Sequence, residues 1–292
     1  MVEFYKYHGL GNDYIVIDPN RLDFDLVMNR KNIKLLCNHH LGIGSDGIVY
    51  GPIMENDKVC FKIFNPDGSE AEKSGNGIRI FAQYLWDKDY EIDNAFDIYI
   101  KGKKVSVELI DKQKKLIKVN MGKFSFRSDD IPMSGETRDA INETIEVEKA
   151  AELEEKTFKV TCVNIGNPHC VIIKKEISRN FTKKYGPALE NHFLFPNRTN
   201  VQFVKIIDRK NIKLEIWERG AGYTLASGSS SAAAVCAAYV QNLVESKVMA
   251  HMQGGEVLVE IDHDHVYLTG TVGRIIKGVF LPDLKDKLQN KE

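Results

Sequence analysis

No stretch of this 292-residue chain approaches the run of about 18 apolar residues that a membrane-crossing helix needs. The opening "MVEFYKYHGLGNDY" has no basic segment followed by an apolar run, so a secretory leader is not expected either. A cytoplasmic protein without membrane contact is the expectation. An excess of one charge is also missing: 40 Lys+Arg face 41 Asp+Glu for a net −1, which gives nucleic acid nothing to hold. Cysteine is scarce and odd in number. Cys37, Cys60, Cys162, Cys170 and Cys236 show neither CxxC nor Cys/His ligand spacing, which argues for reduced, mostly buried thiols and against a disulfide framework or a zinc site. What remains is globular material, 43% hydrophobic and 28% charged, long enough for two domains of about 150 residues.

Short alternating runs broken by Gly, Asn and Pro predict strands over 3–9, 14–18, 59–65, 105–110, 117–121, 158–166, 170–174, 201–207, 212–218, 256–261 and 266–272. Helical spacing is rarer. It covers 26–40 and two stretches that each open on Ser-Gly, "EAEKSGNGIRIFAQYL" (Glu70–Leu85) and "TLASGSSSAAAVCAAYV" (Thr224–Val240). Residues 141–156 read as a charged surface segment, helical at most in part, and the polar stretch 122–136 is the best candidate boundary.

The main clue to organisation is an internal repeat. "FNPDGSEAEKSGNG" (Phe64–Gly77) aligns without a gap on "WERGAGYTLASGSS" (Trp217–Ser230), so Ser74 falls on Ser227 at an offset of 153 (227 − 74). Gly102 falls on Gly255 at the same offset, and Asn12 in "GLGNDYIVID" lies over Asn167 in "NIGNPHCVII" at an offset of 155 (167 − 12). Chance similarity of glycine-rich turns does not keep three segments in order. The chain therefore reads as two copies of one strand-rich α/β unit.

A helix N-terminus carries N–H groups without partners and a partial positive charge, so it can hold a carboxylate or a developing oxyanion. Simple capping explains one Ser-Gly start, since Ser, Asn and Gly are preferred there. Two starts related by a repeat point to a shared site. Before them lie strands ending in Asn65 and in Glu218-Arg219, and Arg219, set among glycines, suits bidentate capture of a carboxylate. Asn12, Asn167 and Asn200 each stand where a strand meets a loop. Each alone is commonly a turn former, whereas together their amides could read the ammonium and carboxylate groups of an amino acid. His169 in "GNPHC" is commonly a structural histidine; near such a site it could assist proton transfer or orient a ligand.

Six blocks, "HGLGNDYIVID", "GIGSDGI", "FNPDGSEAEKSGNGIRIFAQYL", "VNIGNPHCVI", "NRTNVQFV" and "WERGAGYTLASG", closely resemble the diaminopimelate epimerase family, in its order and over nearly the whole chain. The resemblance implies two pseudo-symmetric α/β domains, each a strand-rich barrel-like sheet around a central helix, with the site in the cleft between them. The boundaries expected are 1–121 with 273–285 for the first domain and 122–272 for the second. It also implies a homodimer and epimerisation of LL- to meso-diaminopimelate without pyridoxal phosphate or metal, one cysteine taking the α-proton and another returning one to the opposite face. By motif position Asn12, Asn65, Asn167, Asn200, Glu218 and Arg219 would contact substrate. The backbone N–H groups around Gly75, Asn76, Gly228 and Ser229 would hold its α-carboxylate.

Both family cysteine positions fall on serines here, Ser74 and Ser227. A thiol has a reference pKa near 8.5, and a helix dipole lowers it further. An aliphatic hydroxyl is a far weaker acid, and a dipole worth up to ~2 kcal/mol, about 1.5 pKa units, does not close the gap. Serines that act here need a neighbouring base, for which the motifs supply His169, Glu218 and Glu70. Three functions follow: an epimerase for diaminopimelate, an isomerase of the same fold for another amino acid, and an amino-acid-binding protein that kept the pocket and lost turnover.

Overall fold

The computed structural model describes residues 3–71, 73–90, 92–147 and 154–289. The chain divides into two compact units, residues 1–119 with 270–292 and residues 120–269. In chain order the elements are β1 (Glu3–Gly9), β2 (Asn12–Ile17), α1 (Arg30–Cys37), β3 (Ile48–Glu55), β4 (Lys58–Phe64), α2 (Gly75–Asp87), β5 (Ala95–Ile100), β6 (Lys103–Asp111) and β7 (Leu116–Lys123). The second unit follows with β8 (Glu143–Glu146), β9 (Thr157–Asn164), β10 (Pro168–Ile173), α3 (Arg179–Glu190), β11 (Asn200–Asp208), β12 (Asn211–Glu218), β13 (Gly222–Thr224), α4 (Gly228–Val240), β14 (Lys247–Met252), β15 (Gly255–Asp262) and β16 (His265–Thr271). β17 (Gly273–Val279) and α5 (Pro282–Gln289) belong to the first unit again.

Both units repeat one pattern of pairing. The first runs β17-β1-β2-β3-β4-β5-β6-β7, antiparallel except for β2–β3 and β4–β5. The second runs β8-β9-β10-β11-β12-β14-β15-β16, antiparallel except for β10–β11 and β12–β14, with β13 folded back on β12. A parallel pair needs a crossover, and each of the four is supplied by one helix, α1 to α4 in turn. The sequence repeat is thus a repeat of topology.

The second helix of each unit is the one the strands enclose. Every residue from Gly75 to Leu85 of α2 is buried, as are Gly228 and all of 230–238 in α4. An amphipathic α2 was the expectation; a helix covered on all sides has no polar face to spare. α4 packs on β9, β10, β11, β12, β14 and β15, and its run of Ser and Ala lets them come close. The other crossover helices cover the opposite sheet faces. Ile33, Leu36 and Cys37 of α1 pack with Ile15, Ile17 and Ile48, while Tyr185 and Leu189 of α3 pack with Cys170, Ile172, Val201 and Phe203. Strands β2 and β10 are covered on both faces, which is why "YIVI" and "CVII" are apolar without alternation.

Differences from the sequence expectations have local causes. The helix expected at 26–40 spans only 30–37, because Asn29 caps Asn32 N–H at 2.8 Å and Asn38 turns its side chain onto the N–H groups of His40 and Leu41. β3 is hidden in the sequence by Gly51-Pro52, where the β3–β4 ladder shifts register. α3 is hidden by Gly186-Pro187, which lies in its last turns, and β5, β14, β17 and α5 were not foreseen. In the segment 141–156, 143–146 form a strand rather than a helix and Ile145 and Val147 are buried, while 148–153 lie outside the described residues. The polar stretch 122–136 places Ile131 and Met133 in the core of the second unit. Among the described residues no helix is long and apolar enough to cross a membrane.

Gly186 allows α3 to lie against β12. A Cβ there would come within 2.5 Å of Trp217 Cγ, and Trp217 is held by its indole N–H donating to Glu190 at 2.7 Å. Gly186→Ala gains up to about 1 kcal/mol of helix propensity but overpacks a pinned ring at about 1–3 kcal/mol. A lowered urea midpoint is expected; an unchanged or raised one would show that Trp217 can yield.

Candidate functional site

In the first unit Ser74 is the N-cap of α2, half-buried in extended backbone, and its hydroxyl accepts from Gly77 N–H at 3.1 Å. The same hydroxyl lies 3.0 Å from the Tyr14 hydroxyl on β2. Gly77 lies close beneath Ile63, since a Cβ there would come within 2.8 Å of Ile63 Cδ1 and 3.4 Å of the Ser74 side chain, so a larger residue would have to move the end of the Ile63 side chain. Among the described residues no protein acceptor takes the N–H of Gly75 or Asn76. No acidic side chain occupies the first turn of α2. Its positive end therefore meets no carboxylate from the protein's own first turn.

Behind this helix start runs a chain of amides. Arg79, fully buried, donates through Nη2 to Asn76 Oδ1; Asn76 Nδ2 donates to Asn12 Oδ1 at 3.2 Å, and Asn12 Nδ2 to Asp46 at 3.1 Å. Arg79 Nε and Nη1 find no partner, and burial pushes its guanidinium down to about 10. Lys73, next to Ser74 in sequence, is pushed down to about 8, first by burial and then by the charge of Lys103. Asn65 is not a link in this chain: its amide donates to Ser69 Oγ at 3.0 Å inside a tight turn, the local use its residue type favours.

The second unit is built in parallel but not identically. Ser227 caps the start of α4 with its backbone, yet its side chain makes no cap bond; Ser227 N–H meets the Met252 sulfur at 3.5 Å. No protein acceptor among the described residues takes the N–H groups of Gly228 and Ser229, and the first turn again lacks an acid. On β10, His169 Nε2 lies 2.9 Å from Asn167 Oδ1. His169 is fully buried and its ring is pushed down to about 3 by burial, so it is neutral at pH 7. A buried neutral ring is poorly placed to carry protons, while its grip on Asn167 suits the orienting role. The Gln202 amide on β11 lies 3.0 Å from Ser230 Oγ of α4.

Asn200 is engaged with the backbone at both ends of its amide: Nδ2 donates to Pro168 O at 2.9 Å and Oδ1 accepts from Arg219 N–H at 3.0 Å. It thus holds the loop that carries Glu218 and Arg219, both half-buried, and Arg219 Nη1 reaches Asn197 O at 3.3 Å. Glu190 secures the same loop from α3. Its carboxylate, nearly buried, accepts from Trp217 Nε1, from Arg198 at 3.1 Å and from Gly220 N–H at 2.9 Å.

Arg79, Lys73, Tyr14, Gln202 and Glu190 were not foreseen. Arg79 had a signal, a cation inside the apolar run "GIRIFA" of a helix; Gln202 in "VQFV" had a fainter one of the same kind. Among the described residues no cluster of His, Cys, Asp and Glu could hold a metal ion.

Comparison with known proteins places this geometry. The family model for diaminopimelate epimerase matches residues 4–127 and 161–275. The chain is 48% identical over 279 residues to diaminopimelate epimerase 2 of Nostoc sp., covering 95% of both chains. It is 37% identical over 284 residues to the diaminopimelate epimerase of Acetivibrio thermocellus, covering 95% of this chain and 98% of the relative. Among solved structures, a probable proline racemase from Agrobacterium radiobacter shares the fold at a TM-score of 0.70 and 11% identity, over 97% of this chain and 94% of that one.

Glu190→Gln keeps the shape of the clamp but turns an amide N–H toward one of three donors. A loss of about 1–3 kcal/mol is expected from the unsatisfied donor, read as a lowered urea midpoint, together with weaker ligand binding as the 218–220 loop loosens. Unchanged stability would show that the loop is held by Asn200 alone.

Proposed function

The chain belongs to the diaminopimelate epimerase family, and on that footing we propose that it inverts the α-carbon of an amino acid, converting LL- to meso-diaminopimelate without pyridoxal phosphate. Names of the relatives support the substrate. The observation that carries the reading is the pair of enclosed helices, each opening on Ser-Gly with N–H groups that find no protein acceptor among the described residues and no acid in its first turn. Removing an α-proton builds negative charge on the carboxylate as an enediolate, and such donors stabilise it where it forms. The reading requires one substrate to be served by both helix starts, with Glu218 and Arg219 meeting its charged groups. It also takes the protein as a cytoplasmic homodimer of two-domain chains acting in lysine and peptidoglycan precursor synthesis.

Proton transfer is where this chain departs from the family resemblance. With Ser74 and Ser227 in the two proton-carrying positions, a base must share the work. For Ser74 the candidates are Tyr14, 3.0 Å away, and its chain neighbour Lys73, whose ammonium burial pushes down to about 8. For Ser227 the candidate is Glu218, at the end of β12. A second reading has its own support: Ser74 spends its hydroxyl as a helix cap, as a serine in a binding protein without turnover would.

Incubation with LL- and meso-diaminopimelate in D2O, followed by NMR, separates the readings. Deuterium at the α-carbon with the protein as it stands is the expected outcome. Exchange only in the Ser74→Cys/Ser227→Cys double variant would make the natural chain a binder in an epimerase pocket. No exchange in either would overturn diaminopimelate as substrate and leave other amino acids to be screened.

A further inference from the structure

The matched residues Asn12 and Asn167 both have their amide carbonyls occupied from within the protein. In the first unit the direction of every bond in the chain is forced. Arginine can only donate and a carboxylate can only accept. Arg79 at one end and Asp46 at the other therefore fix Asn76 and Asn12 head to tail, with the Asn12 oxygen turned toward Asn76. One amide hydrogen of Asn12 remains after the bond to Asp46.

In the second unit the matching chain carries a conflict that identifies its arrangement. Asn167 Oδ1 on His169 Nε2 requires that nitrogen to donate, which leaves Nδ1 of the neutral ring an acceptor. Among the described residues neither His169 Nδ1 nor Gln202 Oε1, both fully buried, meets a donor, and the two side chains lie within hydrogen-bond reach of each other, two acceptors where one donor is needed. Oxygen and nitrogen of a side-chain amide are assigned from hydrogen bonding, not seen directly. Turning the Gln202 amide over satisfies everything: Ser230 O–H donates to Gln202 Oε1, Gln202 Nε2 to His169 Nδ1, and His169 Nε2 to Asn167 Oδ1. Turning Asn167 over instead would reverse the chain and set the two repeats at odds.

We propose that these two interior chains, ending on Arg79 and on Ser230–Gln202–His169, turn the oxygens of Asn12 and Asn167 inward and leave an N–H as the end each offers a ligand, so that the group it meets there is a carboxylate and not an ammonium. Arg79 and His169 are then positioning residues. The carboxylate assignment rests on the amino-acid reading above, whereas the bond directions do not.

The bond directions are tested on the unaltered protein by long-range 1H–15N NMR, with the His169 signal identified by its absence in His169→Gln. A neutral ring protonated at Nε2 is expected; protonation at Nδ1 reverses the chain and overturns the proposal. The ligand group is tested by calorimetry with diaminopimelate and with pimelate, which has both carboxylates and no ammonium. Asn167→Asp, an acceptor in place of a donor, is expected to weaken both by about tenfold to a hundredfold, and Arg79→Met, with its fold checked by thermal melting, to weaken both by several fold. Equal or tighter binding by Asn167→Asp overturns the donor role. If the unaltered protein binds neither compound, the substrate reading fails, and the tautomer alone decides the bond directions.

Discussion

A helix enclosed by strands cannot satisfy its first N–H groups from within, and burial denies them free access to water. Everything distinctive in each unit follows from that constraint on α2 and α4. Small residues at the helix start let neighbouring side chains come close, as Gly77 does beside Ser74 and Ile63. Polar side chains that would be costly elsewhere in a core collect at this end. Arg79, Asn76, His169, Gln202 and Ser230 are all buried within their units, and each has a hydrogen bond that leads toward a helix start or a matched asparagine.

The repeat and the enclosed helices were legible in the sequence because each leaves a local mark. Ser-Gly before a small-residue run, the offset of 153 and the alternating strands all survive in one dimension. What was hidden was hidden by local contradiction. Gly51-Pro52 reads as a break but is a register shift within β3, and Gly186-Pro187 reads as a helix end but lies inside α3, where glycine is needed to clear Trp217. The expected surface segment at 141–156 misled through its charge, since among its described residues only Ile145 and Val147 are buried.

The candidate site was legible by residue type and less so by role. Asn200 and Asn65 stood out as amides and serve the backbone and a turn, bonds that no spacing reveals. His169 stood out as a titratable group, yet enclosure by β-strands and α4 removes its charge at neutral pH. Glu190 gave no sign, because its partners Arg198, Trp217 and Gly220 converge on it only in the folded chain.

The unequal treatment of the two serines has a consequence for stereochemistry. Ser74 is anchored by Gly77 and Tyr14, so its hydroxyl is a fixed direction, while the Ser227 hydroxyl has no cap bond to hold it. A catalyst cannot shift the ratio of two stereoisomers at equilibrium, but it can divide the barrier between them unevenly. For a reaction that used each serine in turn, the step at Ser74 would carry a demanding geometry and the step at Ser227 a demanding entropy. Symmetry of the chain would then coexist with a lopsided energy profile, slower to begin from one epimer than from the other.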